Sequence, residues 1–200
     1  MKNVNDPDFW EDIYKKNDIG WDLNGPTPIF EKIANKLKPG RVVILGSGRG
    51  YDAIIFSKLN FEVTAVDFAP SAINYLEKLC KKNNVKVNAI QSDIFSLGKY
   101  YDNYFDYIIE QTCYCAIDPR RRKEYERVVF RILKTAGNLI GLWYPLDKAI
   151  EDGGPPWGVS RSNLKNIFEK RWIVTKELFS ELSVKKRKQR EKLIIFKKKQ

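Results

Sequence analysis

Residues 41–50, Arg41-Val42-Val43-Ile44-Leu45-Gly46-Ser47-Gly48-Arg49-Gly50, decide the fold. Val42 to Leu45 reads as a short buried strand, and Gly46, Gly48 and Gly50 as a tight turn. Tyr51 to Leu59 reads as the helix that follows. A second apolar run, Val63-Thr64-Ala65-Val66, ends in an acid at Asp67. Strand, glycine turn, helix and a strand closing on a carboxylate form a βαβ unit of the kind that cradles a nucleotide. The glycines let backbone approach a ligand, and the carboxylate can accept both hydroxyls of a ribose. The spacing narrows the ligand. A dinucleotide pattern needs Gly or Ala three residues after the second glycine. Tyr51 stands there and the third glycine comes early, so no pyrophosphate-sized ligand is implied.

Outward from this unit, strand and helix signals alternate. Upstream, Asp8 to Asn17 carries Phe9, Trp10, Ile13 and Tyr14 on one side of a helix. A Gly- and Pro-rich passage, residues 20–28, leads to a second helix at Ile29 to Leu37, closed by Pro39-Gly40. Downstream, Ala69 to Asn83 reads as a helix with Ser71 as its candidate cap. Val85 to Ile90, Phe105 to Glu110 and Asn138 to Tyr144 read as strands, and Pro119 to Leu133 as a long helix. Ser160 to Phe168 is a further helix, followed by strands at Trp172 to Leu178 and Leu193 to Phe196. Such alternation predicts a parallel sheet with helices on both faces. The last two strands have no helix between them, so they should pair antiparallel. The expected fold is α/β, doubly wound and Rossmann-like: a mostly parallel seven-stranded sheet with a C-terminal antiparallel hairpin. Residues 1–200 are expected to form one domain, with 1–38 as an N-terminal helical lid.

Composition removes several chemistries. The 200 residues include no histidine, which excludes Ser-His and Cys-His nucleophile pairs and histidine-held metals. Three cysteines, Cys80, Cys113 and Cys115, form no C-x-x-C and suggest neither a disulfide framework nor a zinc site. No apolar run nears membrane-spanning length. The acidic start, with Asp6, Asp8, Glu11 and Asp12, does not resemble a secretory signal. A cytoplasmic protein without metal or membrane partner, monomeric rather than oligomeric, is the expectation. The net charge of +11 is local: residues 185–200 hold nine Lys or Arg against one Glu, a net +8, leaving +3 elsewhere. An excess so placed reads as a solvated hairpin link and tail rather than a nucleic-acid surface.

In a doubly wound sheet the ligand lies beyond the carboxyl ends of the strands. Gly46 and Gly48 end the first strand, Asp67 the second, and Asp93 with Ile94 follows the third. Glu110 and Gln111 end the fourth. Any one of these acids alone is as well explained as a helix cap. Acids at successive strand ends together point to a site, with Asp67 for a ribose, Asp93 and Ile94 for an adenine, and Glu110 and Gln111 beneath the reacting group.

The chain also resembles a known family. Trp10, Tyr14 and Trp21, Gly46 to Asp52, Cys115-Ala116-Ile117-Asp118-Pro119, Tyr144-Pro145 and Gly153-Gly154-Pro155-Pro156 are similar to the thiopurine-methyltransferase-like family. In pattern they resemble its thiol and halide branch, among class I S-adenosylmethionine-dependent methyltransferases. The likeness runs through Arg190-Glu191-Lys192-Leu193 and covers nearly the whole chain. It implies S-adenosylmethionine as cofactor, with Trp10, Tyr14 and Trp21 covering it and Gly46, Gly48, Asp67, Asp93, Ile94 and Gln111 contacting it from below. Tyr14 stands where relatives commonly carry tryptophan, and Gln111 where some carry an aromatic residue.

Transfer of a methyl group from a sulfonium needs alignment and exclusion of water more than covalent help from the protein. A soft nucleophile, a small thiol, hydrosulfide or halide, suits a chain without a histidine base, because a thiol is already partly ionised near neutrality. Tyr144 is the candidate catalytic residue of the acceptor pocket. Trp157 and Arg161 are further candidates; the alternative for Trp157 is a surface anchor, and Arg161 is better explained as a solvated helix start. Two other readings stay open: methyl transfer to a different small molecule or to nucleic acid, and a non-catalytic cofactor-binding module. Glu110-Gln111-Thr112-Cys113 lacks the Pro-Pro-aromatic pattern of base methylation, and no second recognition domain is visible.

Overall fold

The computed structural model describes residues 3–199; Met1, Lys2 and Gln200, the ends of the expected lid and basic tail, lie outside them. The chain divides into two compact units, Met1–Ser96 and Leu97–Gln200.

The first unit opens with helix α1, Pro7–Lys15. Asp6 caps it by accepting from the Asp8 N–H, and Pro7 fits the first turn, where its missing N–H costs nothing. Helix α2, Pro28–Ala34, again begins on a proline. Strand β1, Arg41–Leu45, is a continuous apolar run whose last four residues are buried, as a parallel strand covered on both faces must be. Helix α3, Tyr51–Lys58, and strand β2, Glu62–Asp67, complete the βαβ unit. Helix α4, Pro70–Asn83, then leads to strand β3, Asn88–Gln91. The three strands lie in the order β3-β2-β1, all parallel, with Val42 opposite Val63 and Asp67 opposite Gln91. Phe30, Phe56, Val66 and Leu76 fill the core.

Two expectations change here. Ser71 is not the cap of α4, which begins at Pro70 behind Ala69. Its N–H and hydroxyl instead donate to the Glu11 carboxylate at 2.9 and 2.7 Å. Strand β3 also starts three residues later than its apolar run. Asn84 adopts a left-handed conformation (φ 51°), and the Val85 N–H turns back to the Cys80 carbonyl, so these residues close the helix.

The second unit carries strand β4, Phe105–Gln111, helix α5, Arg122–Ile132, and strand β5, Leu133–Trp143. The expected long helix from Pro119 is a short 3-10 turn, Pro119–Arg121, followed by α5. Strand β5 starts five residues earlier than read, because α5 passes directly into it and a register shift is absorbed near Ala136 (φ 61°). Helix α6, Arg161–Phe168, is capped by Ser160, whose hydroxyl accepts from the Asn163 N–H. Strands β6, Trp172–Leu178, and β7, Lys192–Lys198, form the expected antiparallel pair. The order is β4-β5-β7-β6, with β4 and β5 parallel and β7 antiparallel to both neighbours. Trp143, Phe168, Trp172 and Phe196 form the aromatic core, with Phe168 stacked on Phe196 at 4.7 Å. Gly141 is required because the Trp143 indole lies across it; an added Cβ would stand 2.6 Å from the ring.

The seven strands are those of a mixed Rossmann-like sheet, with a parallel core and antiparallel C-terminal strands. The basic C-terminal run is less solvated than its composition suggests. Arg187, Glu191 and Lys198 are buried, and the Lys198 ammonium donates to the Leu133 carbonyl and Asn103. Arg190 pairs with Asp147 and Lys192 with Glu177. Among the described residues no helix is long and apolar enough to cross a membrane.

Candidate active site

In the first unit the glycine turn and the end of β2 are joined through one carboxylate. Gly46, Gly48 and Gly50 all have φ between 55° and 80°, where a side chain is strained. The Ser47 N–H donates to the Val66 carbonyl at 2.9 Å. Asp67 accepts from the Gly48 N–H at 2.8 Å through one oxygen and from the Ala69 N–H at 3.0 Å through the other. Burial pushes its carboxyl upward, and these backbone donors oppose the shift. Each oxygen keeps a further lone pair, so ribose hydroxyls can be added without releasing the turn. The Ser92 N–H donates to the Asp67 carbonyl at 3.0 Å, drawing the end of β3 to the same place. Asp93 follows, accepting from the Phe95 N–H at 2.9 Å, and Ile94 beside it is buried.

The N-terminal aromatics gather on this turn. The Tyr14 hydroxyl lies 3.3 Å from where a Cβ on Gly48 would stand. Burial and, after it, the Asp67 charge raise the pKa of that hydroxyl, which keeps it neutral. Trp21 packs edge-on against both Tyr14 and Trp10, at 5.8 and 5.9 Å. The segment is held by polar contacts invisible in the sequence pattern. Asp52 of α3 accepts from the N–H and hydroxyl of Thr27 at 2.7 and 2.9 Å. Arg49 pairs with Asp22 at 3.2 Å and donates to Asn17 at 2.9 Å. Such reach across twenty or more residues leaves no local spacing to read.

The second unit contains the remaining candidates. Gln111 ends β4, opposite Leu142 of β5. Glu110 does not face a ligand as expected but turns inward, 1% exposed. One of its oxygens accepts from the N–H groups of Cys113 and Tyr114, at 3.0 and 2.9 Å, and the other from the Tyr125 hydroxyl at 2.7 Å. Burial pushes its carboxyl up to about 7. Alternation along β4 accounts for this, since neighbours Glu110 and Gln111 face opposite ways. Tyr144 follows β5, with the guanidinium groups of Arg190 and Arg187 over its ring at 5.3 and 5.6 Å. Arg161 is paired with Glu177 at 2.8 Å. The Trp157 N–H donates to the Cys115 carbonyl at 2.8 Å, tying the Gly153–Gly158 loop to the turn after β4.

Arg122 is an internal cation of the second unit. Its side chain is 1% exposed, lies over the Tyr114 ring at 4.7 Å and donates to the Gly158 carbonyl at 2.9 Å. Its Nε and second terminal nitrogen are buried without a hydrogen-bond partner among the described residues. In the sequence it is one of three consecutive arginines, and nothing there marks which is internal.

The comparisons with known proteins agree with this architecture. The family model for thiopurine S-methyltransferase matches residues 5–199. A probable thiol methyltransferase 2 of Arabidopsis thaliana is 31% identical over 201 residues, covering 96% of this chain and 86% of that protein. A thiocyanate methyltransferase 1 of Brassica oleracea is 28% identical, covering 79% of this chain and 70% of that protein. In structure, the Burkholderia thailandensis 1,6-didemethyltoxoflavin-N1-methyltransferase, solved with S-adenosylhomocysteine bound, superimposes with a TM-score of 0.77 at 16% identity. That match covers 97% of this chain and 87% of that one, and it shows the fold. The chain belongs to the thiopurine S-methyltransferase family. It is an S-adenosylmethionine-dependent methyltransferase.

The residues present fit that cofactor: a glycine turn with a tyrosine hydroxyl against it, a carboxylate with spare acceptor capacity, and a buried Ser47 hydroxyl oxygen without a partner among the described residues. Among the described residues no group of three or more acidic or cysteine side chains could hold a metal.

Proposed function

We propose that this enzyme methylates small, soft, anionic acceptors, a thiolate or hydrosulfide first and a halide such as iodide second. Bound S-adenosylmethionine supplies an electrophilic methyl group whose carbon–sulfur bond breaks as the acceptor's lone pair forms the new one. Gly46 and Gly48 let the backbone approach the amino-acid part of the cofactor, and Asp67 accepts from its ribose hydroxyls. Asp93 and Ile94 take the adenine, Gln111 lies at the reacting end, and Trp10, Tyr14 and Trp21 cover the cofactor and exclude water. Tyr144 lines the acceptor's place. Residues 1–200 act as one catalytic domain with 1–38 as its cover.

Arg122 is the single observation that carries the anionic acceptor. A buried cation with two nitrogens unpartnered among the described residues is costly unless something negative completes it. A thiolate or halide does so, and an amine or a neutral base does not. Arg122 then both holds the acceptor and favours its ionised form, which replaces the histidine base that the chain lacks. The fate of the basic C-terminal run supports a small-molecule acceptor, since Arg187, Arg190, Lys192 and Lys198 are engaged within the chain. We infer a monomer of the cytoplasm with no nucleic-acid or membrane partner. The Arg122→Met variant tests the acceptor reading. Its acceptor KM is expected to rise roughly tenfold or more, from loss of a hydrogen bond to a charged group. S-adenosylhomocysteine affinity stays unchanged. An unaltered acceptor KM would contradict the assignment.

A further inference from the structure

The Gly48–Gly50 turn carries a side chain that the cofactor reading above does not use. Arg49 stands between two left-handed glycines, φ 55° and 80°, which throws its guanidinium outward from the turn. One terminal nitrogen lies 3.2 Å from the Asp22 carboxylate and the other 2.9 Å from the Asn17 side-chain oxygen. The same guanidinium lies 4.8 Å above the Tyr75 ring of α4. Asp22 is 8% exposed at its side chain and directly follows Trp21, which packs on Tyr14. The turn that approaches the ligand therefore grips, through one residue, the segment that covers it.

We propose that Arg49 is a positioning residue for cofactor binding, clasping Asn17 and Asp22 so that Tyr14 and Trp21 stay against Gly48. This rests on the cofactor reading given above. The clasp is separable from folding, because two other contacts fix the same segment. Glu11 binds the start of α4 through Ser71, and Asp52 binds Thr27 at the start of α2. Loss of Arg49 then loosens the aromatic cover without releasing the segment. A guanidinium that is about one-fifth exposed and paired with a buried carboxylate keeps much of its Coulomb attraction from the solvent's screening.

The test is S-adenosylhomocysteine dissociation followed by tryptophan fluorescence, with Trp10 and Trp21 as reporters, in wild type, Arg49→Met, Asp22→Asn and the double variant. Each single variant is expected to release the ligand roughly tenfold faster, and the double variant no faster than either single one, because both remove one shared interaction. Release from Arg49→Met at the wild-type rate, or additive effects in the double variant, overturns the clasp. If Arg49→Met does not fold, Asp22→Asn carries the same measurement alone. Wild type that fails to bind S-adenosylhomocysteine overturns the cofactor reading itself, whereas binding with an unaltered Arg49→Met rate overturns only the clasp.

Discussion

Asp67 holds the glycine turn, and in the proposed reading it also accepts from the cofactor's ribose, so its loss should be felt twice. Replacing it by Ala removes the acceptor for Gly48 and Ala69 and, on that reading, the one for the ribose. Calorimetry is expected to show cofactor binding weakened by ~1.5–3 kcal/mol, the range for hydrogen bonds to a charged group. A variant that binds as wild type would remove Asp67 from the site. Glu110 behaves in the opposite sense, as a carboxylate used by the fold. Burial raises it from 4.5 to about 7, so the folded protein holds a proton that the unfolded chain has lost between those values. Stability therefore falls as pH rises from about 4.5 to 7 and then levels, by about 3 kcal/mol from this group alone. The Glu110→Gln variant carries no such proton. Its stability relative to wild type, followed by denaturant melts from pH 5 to 8, is expected to grow with pH and flatten above about 7. A difference that stays constant across that range would show that Glu110 is not perturbed.

The contact between α1 and α4 illustrates how elements are placed by groups that no local pattern announces. The Glu11 carboxylate takes the role that an N-cap on α4 would have had, accepting from the Ser71 N–H where the helix dipole is positive. Burial works against its charge, yet the Ser71 donors and Lys15 outweigh it and hold the carboxyl below the usual range. Glu11→Ala should cost about 1 kcal/mol at neutral pH, as loss of a cap does. Because the folded carboxyl is the stronger acid, that difference is present above its ordinary pKa and closes as pH falls through its folded value. A pH-independent difference would mean that Glu11 acts only by packing. The same element shows what sequence can and cannot convey. The βαβ unit was legible because β1, the glycine turn, α3 and Asp67 are contiguous and each has a periodic or steric signature. The antiparallel β6 and β7 were legible because their apolar runs lie close together without a helix between. The start of β3 was not, because Val85 and Val87 alternate across Lys86 as a strand would, whereas the Val85 N–H is used in closing α4. Ser71 was misread because a cap residue and a first-turn donor look alike until the partner, sixty residues upstream, is known. Glu110 and Arg122 were hidden for the same reason: internal use of a charged group depends on what folds over it.

Over the whole chain, part of the basic excess is engaged internally. The basic C-terminal stretch supplies Arg187 and Arg190 to the Tyr144 ring, Lys192 to Glu177, and Lys198 to the interior. The family match extends from residue 5 to residue 199. The proposed acceptor, one that arrives already anionic or is made so by a buried cation, rests on the absence of histidine and on Arg122. Acceptor choice can be read in a single assay. Wild-type protein is incubated with S-adenosylmethionine and a panel of small thiols, hydrosulfide, iodide, amines and oligonucleotides, with S-adenosylhomocysteine formation as the readout. Turnover with the thiols and hydrosulfide, slower turnover with iodide, and none with amines or oligonucleotides is the predicted result. Turnover of amines or oligonucleotides while thiols and halides remain untouched would contradict it.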